Sequence, residues 1–415
     1  VVAGDGRSIT VYFVRRKLPG RQSSRHCTDR QCGSPSQSPR SPVTVVFAGG
    51  GTGGHLYPAI AIADALRPRA TIAFVGSADR LETTIVPKAG YPLHTVSAHA
   101  LPRRLSFDLL RAVARNAKGT LQSLRLLAAA RPDLVVATGG YVCFPVALAA
   151  RIRKLVGLSR APIVLLEPNL APGVTTRLLA PIVDEIWGEC GGFARRLRAK
   201  CRPTGVPVRS SLRNLPSRAE AASRLGLDPA KPVLLAIGGS QGARAINDAL
   251  VAALQSGALP PTWQVLALTG AAEYAKVFTA VQTAEDAPAA PFVARPYLDE
   301  MADAYAVADL VLARAGASTL GELAALGKPA ILVPYPFATE AHQRANATRF
   351  ETAGAALVMT DQQLASGALP AVLAEATAPQ RLASLSANAR QLGQNDPLAQ
   401  ILARIDSLVC GRGRG

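Results

Sequence analysis

The sequence predicts an α/β protein built of two doubly wound, Rossmann-like parallel-sheet domains facing each other across a cleft. Three observations carry this. At 415 residues the chain is longer than the about 250–300 residues beyond which a single core stops growing. Short β-branched runs alternate with longer Ala- and Leu-rich helical stretches, and the alternation begins afresh near the middle. Glycine-rich turns follow strands in both halves, at the strand ends where a cleft would open.

Residues 1–42 stand apart. They carry eight Arg/Lys against two Asp, are rich in Ser, Gln and Pro, and show no sustained hydrophobic period. Their only apolar stretch, Ile9 to Val14, is too short for a secretory signal. They read as a disordered basic extension, with a transit peptide as the rival. His26, Cys27 and Cys32 resemble half a zinc site, but no second ligand pair follows at a suitable distance.

From Val43 the predicted strands are Val43–Ala48, Thr71–Val75, Asp133–Thr138, Pro162–Leu166 and Asp184–Trp187, each a short buried run flanked by helical text. The uncharged run Leu134 to Ala150 is marginal for a membrane span and is broken by Gly139-Gly140 and Pro145. It reads instead as strand, glycine turn and helix. Cys201 to Pro216 collects Pro, Gly and Arg as a linker would. A second series follows at Val233–Ile237, Trp263–Leu268, Leu310–Ala313 and Ala330–Val333. The expected division is 43–209, 210–378, and C-terminal helices over 379–415 that return to the N-terminal domain.

Hydrophobic residues make up 49% of the chain and aromatics only 5%, which favours helices over parallel strands rather than an aromatic-rich sandwich. The net charge of +18 suits an anionic partner: nucleic acid, anionic lipid or a phosphorylated substrate. The six cysteines are scattered without framework spacing, so a reducing compartment is expected.

The first glycine turn, Gly49 to His55, satisfies G-x-G-x-x-G between a strand and a helix. Such turns let the backbone approach a phosphate, and the following helix start supplies amide donors. A dinucleotide site also wants an acidic residue at the end of the second strand. Phe74-Val75 is followed there by Gly76-Ser77-Ala78, which argues against a nicotinamide enzyme. Thr138-Gly139-Gly140-Tyr141 and Gly238 to Arg244 are the second and third turns. One such turn often only closes a corner; three at matching strand ends point to phosphorylated ligands meeting in the cleft.

Further on, Gly316 to Glu322 forms a strand-to-helix turn with a carboxylate about two turns into the helix. That carboxylate can accept both hydroxyls of a ribose, and His342-Gln343 with Asn346 can read sugar hydroxyls. Taken singly, Glu322 is more often a solvated helix residue and His342 a surface or capping one.

On these motifs the chain resembles the MurG family, the peptidoglycan N-acetylglucosaminyltransferases of the GT-B fold. The matching pieces are Gly50 to His55, Val86 to Tyr91, Gly139-Gly140-Tyr141, Glu167 with Asn169, Gly205 to Arg209, Gly239 to Arg244 with Asn247, and Gly316 to Glu322. They run in order over about three quarters of the chain. Two departures stand out: Pro168 replaces the family's usual glutamine and lacks an amide donor, and Glu340-Ala341 precede His342.

The resemblance implies transfer of N-acetylglucosamine from UDP-N-acetylglucosamine to the C4 hydroxyl of a lipid-linked muramyl-pentapeptide, with inversion, at the cytoplasmic face of the bacterial membrane. It implies contacts to the nucleotide sugar from Arg209, Ser240, Gln241, Gly242, the Leu298 backbone, Ala317, Ser318, Thr319, Glu322, His342 and Gln343. It places the acceptor on Thr52, Gly53, Gly54, Gly140, Tyr141, Glu167, Asn169 and Asn247. His55 is the expected general base, with phosphate contact or helix capping as alternatives. No obligatory metal or other cofactor is expected.

Within 101–127, Arg103, Arg104, Arg111, Arg115, Lys118 and Arg125 face a single Asp108, with Leu105, Leu109, Val113, Leu121 and Leu124 near helical spacing. This reads as a basic amphipathic helix pair for an anionic membrane surface, each basic residue contributing about 1 kcal/mol there. A core-facing stripe is the alternative. A nucleic-acid partner is disfavoured because Phe107 is the one aromatic available for stacking in that stretch. A diacylglycerol glycolipid synthase and a non-catalytic sugar-nucleotide sensor remain as competing readings.

Overall fold

The computed structural model describes residues 42–100, 107–239, 242–282, 290–336 and 342–410. The extension before Pro42, with its Cys27 and Cys32, lies outside them, as do Arg103, Arg104, Leu105, Ser240, Gln241 and Glu340-Ala341.

The first sheet comprises β1 (Val43–Ala48), β2 (Ala70–Gly76), β3 (Leu93–Thr95), β4 (Leu134–Ala137), β5 (Ile163–Glu167), β6 (Glu185–Gly188) and β7 (Cys201–Pro203). The helices α1 (Gly53–Leu66), α2 (Glu82–Lys88), α3 (Phe107–Ala130), α4 (Cys143–Leu155), α5 (Val174–Leu179) and α6 (Arg195–Arg198) connect them. The second sheet comprises β8 (Val233–Ile237), β9 (Gln264–Leu268), β10 (Phe292–Arg295), β11 (Leu310–Ala313), β12 (Ala330–Leu332) and β13 (Ala356–Val358). Around it lie α7 (Arg218–Leu225), α8 (Arg244–Gln255), α9 (Tyr274–Gln282), α10 (Met301–Val307), α11 (Ala317–Leu326) and α12 (His342–Thr352). The chain ends through α13 (Asp361–Ala365), α14 (Leu369–Thr377), α15 (Pro379–Leu392) and α16 (Pro397–Cys410).

Every described strand pair is parallel. The strand orders are β3-β2-β1-β4-β5-β6-β7 and β10-β9-β8-β11-β12-β13. Each sheet thus reverses direction once, between β1 and β4 and between β8 and β11. Ligands of open α/β sheets bind at the carboxyl ends of strands flanking such a reversal. The glycine turns after β1, β4 and β8, and the Gly316 turn after β11, stand at those two reversals.

All nine strands expected from the sequence are present. The four not anticipated, β3, β7, β10 and β13, are the outer strands of the two sheets. They are three or four residues long and lack the fully buried run of a central strand. β7 lies inside the segment read as linker.

The pairing of β6 with β7 also corrects the reading of the cysteines. It sets Ile186 beside Cys201 and brings Cys201 next to Cys190, just past β6, and the two form a disulfide. Eleven residues separate them in sequence, and the chain's return along the sheet edge is what joins them. The expectation of reduced cysteines, drawn from their scattered spacing, does not hold for this pair.

Each sheet carries an apolar layer on both faces. One layer of the first sheet, around Phe47, Phe74, Val136 and Trp187, also takes in Leu398, Ile401 and Ile405 of α16. Arg404 of the same helix donates to Glu185 of β6, whose other donors are Arg202 and the Trp187 indole. The C-terminal helix therefore completes the core of the first half. Ile401→Ala, at a fully buried position, is expected to cost about 2–5 kcal/mol in urea unfolding while leaving activity per folded molecule unchanged.

Helix α3 divides its faces differently from the sequence reading. Its buried side is Ala112, Asn116, Gly119, Thr120, Ser123 and Leu127, and Gly119 lies so close to Ser97 that a Cβ would fall 1.8 Å from that carbonyl oxygen. Leu124 is drawn towards the core. Leu110, Val113 and Leu121 stay exposed among Arg111, Arg115, Lys118 and Arg125. Among the described residues no helix is long and apolar enough to cross a membrane.

Candidate active site between the two halves

The first and second glycine turns interlock. Gly50 donates to the Gly139 carbonyl at 3.3 Å, and a Cβ on Gly140 would fall 2.4 Å from the Gly50 carbonyl oxygen. Gly140 has φ of +83°, so an L side chain there is excluded twice, by backbone conformation and by space. Beneath the turn lies Glu82, the first residue of α2, fully buried. Its carboxylate accepts from the Gly51 amide at 2.9 Å and the Ser77 amide at 2.8 Å. Sequence reasoning missed Glu82. Its signal was faint: an acidic residue at a helix start, far along the chain from the loop it braces.

Thr52 caps α1 in an extended conformation, but its hydroxyl makes no capping bond, and Gly53 and Gly54 form the first turn. His55 follows, half-buried, its ring packed on Gly139 where a Cβ would lie 2.3 Å from Nδ1. Nδ1 has no hydrogen-bond partner among the described residues. Burial pushes the His55 pKa below its ordinary 6.5, against the opposing pull of Glu167 and the Thr138 backbone, and with the help of His342. The shift favours the neutral imidazole.

Glu167, at the end of β5, is buried and already engaged. Oε1 accepts from the Asn169 amide and side chain, and Oε2 from the Gly173 amide and the Thr176 hydroxyl. It shapes the loop after β5 and sets a negative charge near His55. Asn169 Oδ1 in turn accepts from Asn346 of α12, whose own Oδ1 takes the Leu170 amide. Tyr141 points outward, 55% exposed.

In the second half, Glu322 of α11 is buried. Arg209, on the connector between halves, donates through Nε (3.1 Å) and Nη2 (2.9 Å) to its Oε1, and Tyr305 of α10 donates to Oε2 at 2.8 Å. The side chains of Arg209 and Glu322 are only 14% and 7% exposed. The two residues expected on different parts of a nucleotide sugar thus pair with each other here. Burial alone would weaken the Arg209 charge, but Glu322 more than offsets it. The Arg209 guanidinium stacks 4.3 Å over the ring of Tyr57 in α1, and the Tyr57 hydroxyl meets that of Tyr297 at 2.8 Å.

The halves also touch where Ser318 donates to the Gly54 carbonyl (3.1 Å) and Lys88 meets Asp299 (2.6 Å). The first glycine turn and the Gly316 turn are therefore direct neighbours. Ala317, Ser318 and Thr319 form the first turn of α11, and Leu298 rests on the core of the second half. His342 and Gln343 open α12, with Gln343 accepting from the Tyr335 amide. Gly242 has φ of +78° and presses on the Thr269 carbonyl. Ser240 and Gln241 fall outside the described residues.

Asn247, expected among the acceptor contacts, is buried in the second half and gives its amide to the Thr269 carbonyl beside the third glycine turn. A cavity between the halves is lined by Leu170, Gly205, Ala317, Asn346 and Arg349; it adjoins the start of α11 but includes none of His55, Arg209 or Glu322. Among the described residues no group of three or more His, Cys, Asp or Glu is placed to hold a metal ion.

Comparison with known proteins agrees with this geometry. Residues 45–187 match the glycosyltransferase family 28 N-terminal domain, and residues 233–401 the glycosyltransferase family 28 C-terminal domain. A protein of Desulforudis audaxviator is 40% identical over 378 residues, spanning 89% of this chain and 99% of its own length. One of Halothermothrix orenii is 39% identical, spanning 84% and 95%. Both are named UDP-N-acetylglucosamine–N-acetylmuramyl-(pentapeptide) pyrophosphoryl-undecaprenol N-acetylglucosamine transferase. The crystal structure of Acinetobacter baumannii MurG superposes with a TM-score of 0.68 at 25% identity, covering 88% of this chain and all of that one. The calicheamicin glycosyltransferase CalG4, at 18% identity and a TM-score of 0.60, shares the fold.

Proposed function

The chain belongs to glycosyltransferase family 28, and on that premise we propose that it moves N-acetylglucosamine from UDP-N-acetylglucosamine to the C4 hydroxyl of undecaprenyl-diphospho-N-acetylmuramyl-pentapeptide, forming the lipid-linked disaccharide precursor of peptidoglycan. The observation that carries the reading is the direct contact of the His55-bearing glycine turn with the Ser318–Glu322 helix start at the two sheet reversals.

In the reaction the C4 oxygen attacks the anomeric carbon, the bond from that carbon to the UDP oxygen breaks, and the configuration inverts. His55 takes the hydroxyl proton; its lowered pKa, which favours the neutral imidazole, supports that role. Glu322 holds the ribose and the Leu298 backbone reads the uracil. Arg209, Ser240, Gln241, Gly242 and the α11 amides of Ala317 to Thr319 meet the departing diphosphate, with no obligatory metal or cofactor. His342 and Gln343 face the sugar. Thr52, Gly53, Gly54 and Gly140 receive the acceptor diphosphate, near Tyr141 and Asn169.

The protein works as a peripheral protein on the cytoplasmic face of the bacterial plasma membrane. Support comes from α3, whose exposed Leu110, Val113 and Leu121 stand among four basic residues.

The test is transfer of labelled N-acetylglucosamine to a lipid-linked muramyl-pentapeptide analogue, with diacylglycerol as rival acceptor. Product on the muramyl acceptor alone is expected. Product on diacylglycerol would reassign the enzyme as a glycolipid synthase, and donor binding without any product would make it a sensor. Glu82→Ala removes the carboxylate that the Gly51 and Ser77 amides share, a loss of about 1–3 kcal/mol. The acceptor KM should rise about tenfold or more, with affinity for UDP unchanged.

A further inference from the structure

The Glu322 carboxylate has two oxygens in different hands. Oε1 is held by Arg209, which lies on the connector between the halves and stacks on Tyr57 across the cleft. Oε2 is held by Tyr305, which has no exposed surface and sits in the core of the second half. One partner can leave when the cleft fills; the other cannot. A carboxylate abandoned by Arg209 would have nothing else to fix its direction, and recognition of a sugar hydroxyl depends on a fixed acceptor. The phenol suits this duty. Burial first, and then the charge and hydrogen bond of Glu322, hold its proton well above the ordinary tyrosine range, so it remains an O–H donor.

We infer that Tyr305 is a positioning residue for the ribose of the nucleotide sugar: it anchors Glu322 through Oε2 so that Oε1 can exchange Arg209 for ribose hydroxyls. The inference rests on the reading that Glu322 takes the ribose. The exchange frees Arg209, which then turns its charge to the neighbouring diphosphate.

The experiment is calorimetric binding of UDP-N-acetylglucosamine and of its 2′,3′-dideoxyribose analogue to the full chain. The wild type should prefer the natural ligand by about tenfold or more. Tyr305→Phe keeps the ring and its packing, and should cut that preference at least threefold while the Kd of the dideoxy analogue moves less than twofold. Equal weakening of both ligands would mean a merely structural role and overturn the inference. So would a preference that still falls on adding Tyr305→Phe to Glu322→Gln, because the hydroxyl would then act by another route. A wild type without preference would remove the ribose reading itself; a wild-type preference that survives Tyr305→Phe removes only the inference. If Tyr305→Phe fails to fold, 3-fluorotyrosine at position 305 retains ring and hydroxyl and changes the acidity. The preference should then shift, and a fixed preference would overturn the inference.

Discussion

His55→Ala should lower kcat by about 10²–10⁴ while leaving the Kd for UDP-N-acetylglucosamine unchanged, because the imidazole serves proton transfer and not the nucleotide. The sign of the pH dependence follows from the site. Burial against Gly139 holds the His55 pKa below 6.5, so the neutral ring persists through the pH at which an ordinary histidine charges. Transfer measured as kcat/KM should stay level from neutral pH down through 6.5 and fall only below it. The variant should lack that acid limb. His342 lowers the His55 pKa, so His342→Ala should move the limb upward. A limb at or above 6.5 in the wild type, or one that survives His55→Ala, would remove His55 as the base.

Glu322→Ala should be the most damaging change in the second half, acting on stability and binding together. It leaves Arg209 buried without its counter-ion and the Tyr305 hydroxyl without an acceptor. Removing one member of a buried ion pair costs about 3–5 kcal/mol, on the order of 10 °C in apparent Tm for a unit of this size. Binding of the nucleotide sugar should fall by about a hundredfold. Stability and binding can be separated by replacing the pair together. Arg209→Leu with Glu322→Leu removes both charges and should recover much of the lost Tm without restoring binding. Recovery of binding along with the melting temperature would show that Glu322 contributes only to folding.

How far the sequence carried these conclusions can be read element by element. The central strands were legible because burial on both faces demands continuous apolar runs such as Val43–Ala48 and Val233–Ile237. The glycine turns were legible because positions such as Gly140, with φ of +83°, admit no other residue comfortably. The outer strands were not, since an edge strand of three or four residues has little apolar text of its own. For the same reason the segment holding β7 passed for a linker, and with it the Cys190–Cys201 disulfide went unseen.

The division at the site has a physical cause. Residue types and their order along the chain determined the two sheets and the turns at their reversals, because these depend on local backbone demands and hydrophobic period; the candidates His55, Arg209 and Glu322 came from motifs that resemble the family's. Which side chains meet was decided only by the tertiary structure. Glu82 beneath Gly51, Asn247 turned inward to Thr269, Ser318 against Gly54, and Tyr305 and Arg209 on one carboxylate are contacts between segments far apart in sequence. No local pattern encodes them; they follow from how helices settle on sheets and how the two halves close.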